Sequence, residues 1–106
     1  MATSVSDVPA AGRYEIREDE MVAGFAAYRL TGDRITFHHT EVFEGFQGRG
    51  LALRLVADAL SDARRRGLGV LPVCPYVRRV ISRAPEKYLD LVPADARERF
   101  GLPAGD

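Results

Sequence analysis

The spacing of hydrophobic positions changes period part-way along the chain. Residues 1–12, with Ser4, Ser6, Pro9 and Gly12, are mostly small and polar and predict a flexible N-terminal tail. Tyr14-Glu15-Ile16-Arg17 then alternates apolar and polar, as a half-buried strand does. Glu18-Asp19-Glu20 fits a hairpin turn, and Met21 to Leu30 a longer strand that is apolar on both faces. Thr31-Gly32-Asp33 is a second turn. Arg34 to Val42 completes an antiparallel meander, with Ile35, Phe37, His39 and Glu41 expected on one face and Thr36, His38 and Thr40 on the other.

Beyond residue 50 the period is helical. Ala52, Leu55, Val56, Ala59, Leu60 and Ala63 recur on one face up to Gly67, a residue suited to stopping a helix. Arg64-Arg65-Arg66 complements the dipole of that last turn. Leu68 to Cys74 reads as a short apolar strand, so strand, helix and strand form a right-handed parallel crossover. Pro75 fits the first position of a new helix with Tyr76, Val77, Val80 and Ile81 on its apolar side. Pro85 interrupts it, Tyr88 to Leu91 returns to the sheet, and Pro93 to Phe100 predicts a last helix turned off at Gly101. The expected class is α/β with a mixed sheet: an antiparallel N-terminal meander, a parallel crossover and C-terminal helices.

Composition narrows the functions. The 106 residues fit one domain, and 46% hydrophobic content suits a globular core. Fifteen basic residues, all but Lys87 arginine, balance fifteen acidic ones, so no global field draws the chain to nucleic acid or to an anionic membrane. One cysteine allows no internal disulfide and suits a reducing compartment. No apolar run has the length of a membrane span, and Met1 to Gly12 lacks the basic and apolar regions of a secretory leader. The cytoplasm is the expected location. One cysteine and two adjacent histidines fall short of a zinc site, and no metal is expected.

The segment Gln47-Gly48-Arg49-Gly50-Leu51-Ala52 carries the chemistry. It joins the meander to the long helix with the spacing Gln-x-x-Gly-x-Ala. Its glycines let main chain approach a phosphate, and the helix start supplies free N–H donors and a partial positive charge. Arg49 adds a guanidinium that can pair with phosphate oxygens.

Together with this loop, His39-Thr40-Glu41-Val42, Ala63-Arg64 and Val70 to Val77 resemble the GCN5-related N-acetyltransferases, in particular their minimal, GNAT-like members. The resemblance spans about Tyr14 to Val92 and implies a domain over 13–92, followed by a helical extension and tail over 93–106. It implies acetyl-CoA as co-substrate and an unidentified amine as acceptor. Gln47, Gly48, Arg49, Gly50, Leu51 and Ala52 would cradle the pyrophosphate, Val42 would lie along the pantetheine, and Cys74 would stand close to the thioester. Phe43 departs from the pattern, which has a proline there.

Three residues are candidates for chemistry. Cys74, at the cap of the helix begun by Pro75, can take the acetyl group or a proton, or can simply be a small buried hydrophobe. His39 and Glu41 can each act as general base for the acceptor amine, or can be a core histidine and a sheet-surface carboxylate. Tyr76, as proton donor to the departing thiol, and Arg79 and Arg83, as phosphate ligands, stand in second rank. Two other classes share these features: a non-catalytic acyl-CoA sensor, and a small interaction protein whose glycine loop is only structural.

Overall fold

In the computed structural model, which describes residues 2–104, five strands make one sheet in chain order. They are β1 (Thr3–Val8), β2 (Arg13–Glu18), β3 (Met21–Thr31), β4 (Arg34–Val42) and β5 (Gly69–Pro72). The first four run antiparallel, and β5 lies parallel to β4 after the crossover helix α1 (Leu51–Arg65).

The N-terminal segment differs from expectation. Thr3–Val8 is an edge strand rather than a tail, paired with β2 from Thr3–Glu18 to Val8–Arg13. Ser4 and Ser6 are exposed, whereas Thr3, Val5 and Asp7 are half-buried on the α1 side. The Thr3 hydroxyl donates to Glu18 (2.9 Å) and the Tyr28 hydroxyl to Asp7 (2.6 Å). Gly12, at φ +66°, reverses the chain by donating its N–H to the Pro9 carbonyl. Main-chain pairing and polar side chains hold this strand, so its apolar content is low.

α1 lays Leu51, Leu55, Val56, Ala59, Leu60 and Ala63 on the sheet, against a floor that includes Tyr14, Ile16, Ala26 and Phe37. Each large apolar side chain buried there contributes roughly 1.5–3 kcal/mol. The helix ends in a six-to-one turn: Leu68 N–H donates to Ala63 and Gly67 N–H to Arg64, with Gly67 at φ +70°. α2 (Pro75–Arg83) packs Val77, Val80 and Ile81 into the same layer. Two short helices follow, α3 (Pro85–Tyr88) and α4 (Ala94–Arg97), each continued by a 3-10 turn. The segment after Pro93 enters the core through Ala96, Phe100 and Leu102. Arg34 of β4 ties it down by a forked pair of bonds to Asp95 (2.9 and 3.2 Å). Gly105 and Asp106, at the end of the expected tail, lie outside the described residues.

β4 contains the feature that sorts the candidate residues. Ala27 faces His39 and Tyr28 faces Phe37, so His38 is an extra residue, a β-bulge. The bulge resets the alternation. Phe37, Thr40 and Val42 sit opposite Tyr28, Ala26 and Gly24, on the face covered by helices. His39 and Glu41 sit opposite Ala27 and Phe25, on the other face. The expectation that Ile35, Phe37, His39 and Glu41 share one face is therefore corrected: strict period 2 holds only up to Phe37. No helix of the described residues is long and apolar enough to cross a membrane.

Candidate active site

β4 and β5 stay together for four residue pairs, from Arg34–Gly69 to Phe37–Pro72. One more bond joins them, from Cys74 N–H to the Phe37 carbonyl (2.8 Å), before Pro75 turns the chain into α2. β4 continues alone to Val42, so the two parallel strands part, as in an opened V. Cys74 lies where they part. Its thiol is buried (4% exposed), with Sγ 3.4 Å from Thr40 Oγ1 across the gap.

The loop beyond Val42 is folded on itself. Phe43 N–H donates to the Ala23 carbonyl (2.8 Å), continuing the pairing with β3, and Phe46 N–H donates back to Phe43 (3.0 Å). Gln47 Nε2 donates to the Val42 carbonyl (3.2 Å). Arg49 donates to the Gly45 carbonyl (3.3 Å) and lies 5.6 Å from the centre of the Phe46 ring. Gly45, Gly48 and Gly50 adopt φ of +93°, +80° and +73°, conformations that side-chain-bearing residues seldom adopt. A Cβ at Gly48 or Gly50 would meet no protein atom within 4 Å.

This conformation leaves the start of α1 unsatisfied. Gly50 is the N-cap, no side chain caps the helix, and no acidic residue stands in its first turn. Among the described residues, the main-chain N–H groups from Gln47 to Leu53 make no hydrogen bond within the protein; the first to do so is Arg54, to Gly50. These donors border a cavity of about 220 Å³ that reaches from Val42, past Gln47, Gly48 and Gly50, to Leu53 and Tyr76. A positive helix start with free donors and no resident acid suits an anion.

Of the residues expected here, Val42, Gln47, Gly48, Gly50, Leu51 and Ala52 border that cavity, and Arg49 lies within the same loop. Cys74 does not border it. His39 and Glu41 pair with each other, Nε2 to Oε1 at 3.2 Å, with side chains 56% and 49% exposed. The His39 ring lies against Phe25 (5.7 Å between ring centres), whose other neighbours are Phe43 and the Arg13 guanidinium. Sequence reasoning gave Tyr76 second rank and left out Leu53, and both border the cavity. Leu53 lies off the apolar stripe of α1, and no signal in the sequence marks it.

The opposite end of α1 is built differently. The Tyr14 hydroxyl donates to Asp62 (2.5 Å) and receives a bond from Arg66, which also pairs with Asp7. Burial, then the bond to Asp62, pushes the Tyr14 hydroxyl well above its ordinary value of 10. Burial and the bond to Asp7 push Tyr28 up to about 12. Burial works against ionisation of Asp62, but bonds from Tyr14, Arg65 and Arg66 outweigh it and hold this carboxyl below the usual range. These groups satisfy one another and lock α1 to the sheet.

A model of the GCN5-related N-acetyl-transferase family matches residues 13–91. The chain belongs to that family. It is an acyltransferase of the GNAT type, with the five-stranded mixed sheet and parted parallel strands already described. The fold is also similar to the solution structure of a GCN5-like N-acetyltransferase candidate from Staphylococcus aureus. That match has a TM-score of 0.63 at 20% identity and covers 85% of this chain and 87% of the other. No curated protein sequence matches the chain significantly.

Proposed function

We propose that this GNAT protein transfers an acetyl group from acetyl-coenzyme A to an amine, with the coenzyme's diphosphate on the main-chain donors from Gln47 to Ala52. The observation that carries this reading is the run of unbonded N–H groups at an uncapped helix start, opening on a cavity that ends at Val42. The donor set fits the group. Left-handed glycines turn the loop without placing a Cβ among the donors, and Arg49 supplies a cation within the same turn. Val42 would then line the path of the pantetheine arm toward the gap between β4 and β5.

The protein's part is placement and proton removal. An amine attacks a thioester only as the free base, and Glu41, paired with His39 on the uncovered face, is the group proposed to take its proton. Holding donor and acceptor on the two sides of the opened strands supplies the orientation. Cys74 is buried, contacts Thr40 and does not border the loop cavity, which favours direct transfer over an acetyl-cysteine intermediate. A reducing compartment such as the cytoplasm suits the reaction.

Calorimetry with coenzyme A, followed by thiol release from acetyl-CoA across a panel of amines, tests the reading. Binding and amine-dependent release support it. Binding without release under any amine makes the protein an acyl-CoA sensor, and absence of binding at millimolar ligand removes both.

A further inference from the structure

The face of the sheet that the helices leave uncovered carries opposite charges on either side of one aromatic ring. Phe25 of β3 lies between Glu15 of β2 and Glu41 of β4, and in the next row Ala27 lies between Arg13 and His39. The Arg13 guanidinium, from the β2 side, stands 4.6 Å from the centre of the Phe25 ring. From the β4 side the His39 ring comes to 5.7 Å, and the Phe43 ring beyond the strand end to 5.9 Å. Phe25 is therefore a ridge between a cation and the His39–Glu41 pair. It keeps Arg13 and Glu41 from neutralising each other.

The β2 side holds an excess of positive charge. Glu15 is 5% exposed although it stands on the uncovered face, because its carboxylate is held between Arg13 (2.8 Å) and Arg17 (3.0 Å). Among the described residues it is the only carboxylate that pairs with either arginine. Two cations thus share one anion. Arg13 spends Nε and Nη2 on Glu15, leaves Nη1 without a partner among the described residues, and is only partly buried. A second anion fits there, because a guanidinium carries five donors in a planar fork.

We propose that the acceptor is a free amino acid with an apolar side chain, its amine at Glu41, its carboxylate on Arg13 and its side chain against Phe25 and Phe43. The inference rests on the acetyl-transfer reading above and names the class of amine. Neighbouring strands lie about 4.8 Å apart, so Arg13 and Glu41 rise from strands on the order of 10 Å apart. Charge-assisted contacts of about 2.8 Å at both ends leave a gap that a molecule of a few atoms fills. A polyamine or a lysine side chain brings no group for Arg13, and a second ammonium would meet the excess charge on β2. The bound ammonium gives one proton to Glu41. Its nitrogen then bonds the acetyl carbon as the carbon–sulfur bond breaks, and the second proton goes to the departing thiolate.

The test follows thiol release from acetyl-CoA with the full chain. Leucine and phenylalanine are compared with their decarboxylated counterparts, 3-methylbutylamine and 2-phenylethylamine, and with spermidine, at equal concentrations of free base. Each amino acid is expected to show a kcat/KM about tenfold above its counterpart, the scale of one charge-assisted contact, with most of the difference in KM. Arg13→Gln should bring each pair together, whereas Arg13→Lys, which keeps the charge, should retain part of the preference. Circular dichroism and a coenzyme A titration check that both variants fold and bind the donor. Should neither fold, the comparison on the unsubstituted protein decides. Equal or greater turnover of the decarboxylated amines or of spermidine overturns the proposal, as does a preference that survives Arg13→Gln undiminished. Coenzyme A binding with no release by any amine overturns the acceptor assignment and leaves the coenzyme site in place. Failure of coenzyme A to bind overturns the acyl-CoA reading itself.

Discussion

Thr40 Oγ1 and Cys74 Sγ stand 3.4 Å apart across the point where β4 and β5 separate. The thiol thus has a polar neighbour and almost no exposure. Packing is the role expected of a thiol so placed. Cys74→Ala should keep amine acetylation within about threefold and cost about 1 kcal/mol of stability, the scale for removing one small buried group. Intact-mass measurement during turnover decides: an acetyl adduct on Cys74 that passes to product would establish the covalent route.

Gly24 and Glu41 meet more closely than any side chain permits. A Cβ on Gly24 would come 2.4 Å from the Glu41 carbonyl oxygen and 3.1 Å from Val42 Cα. Neither atom is a flexible end that can swing away. Gly24→Ala should cost about 2–3 kcal/mol, as overpacking against backbone does, and lower Tm by roughly 10 °C. Because the displaced strand leads into the glycine loop, coenzyme binding should weaken as well. A thermal scan and one titration read both effects.

Glu41→Gln tests proton removal. The residue is half exposed, so the fold should tolerate the change. With an amine that supports turnover, kcat should fall about a hundredfold, the range for loss of a general base, while KM for acetyl-CoA stays near its original value. Equal kcat in both proteins would assign the base elsewhere.

The alkaline limb of stability should follow the tyrosines. Burial and carboxylate partners raise Tyr14 and Tyr28 above their ordinary value of 10, Tyr28 to about 12. A raised folded-state value favours the neutral hydroxyl, so their contribution is complete below pH 10 and fades as pH climbs through the raised values. Asp62 has the opposite sign. Its lowered value contributes above its ordinary 3.8 and is lost as pH falls through the folded-state value. Denaturant midpoints from pH 8 to 12 should decline above 10, and Tyr14→Phe should flatten that decline. An unchanged slope in Tyr14→Phe would detach the effect from this hydroxyl.

The parts of the fold legible beforehand are those written in periodicity or in backbone-restricted residues. The apolar face of α1, the stop at Gly67, the glycine loop and the start of α2 at Pro75 all belong to this group. β1 was not legible, because main-chain pairing and hydroxyl or carboxylate contacts hold it and leave little apolar signal in Thr3–Val8. The bulge at His38 was not legible either. An inserted residue leaves no mark in composition, and only the partner strand reveals it. Leu53 escaped for a third reason: it is 54% exposed and lies off the apolar stripe of α1, so its place beside the loop cavity appears only when Tyr76 of α2 is set next to it.

One surplus residue in β4 has a wider consequence. Were His38 paired in the ladder instead of bulged out of it, strict alternation would turn the carboxylate of Glu41 and the imidazole of His39 inward beneath the helices, and Thr40 and Val42 out to water. The bulge at that single position therefore decides which side of the sheet each residue from His39 to Val42 presents.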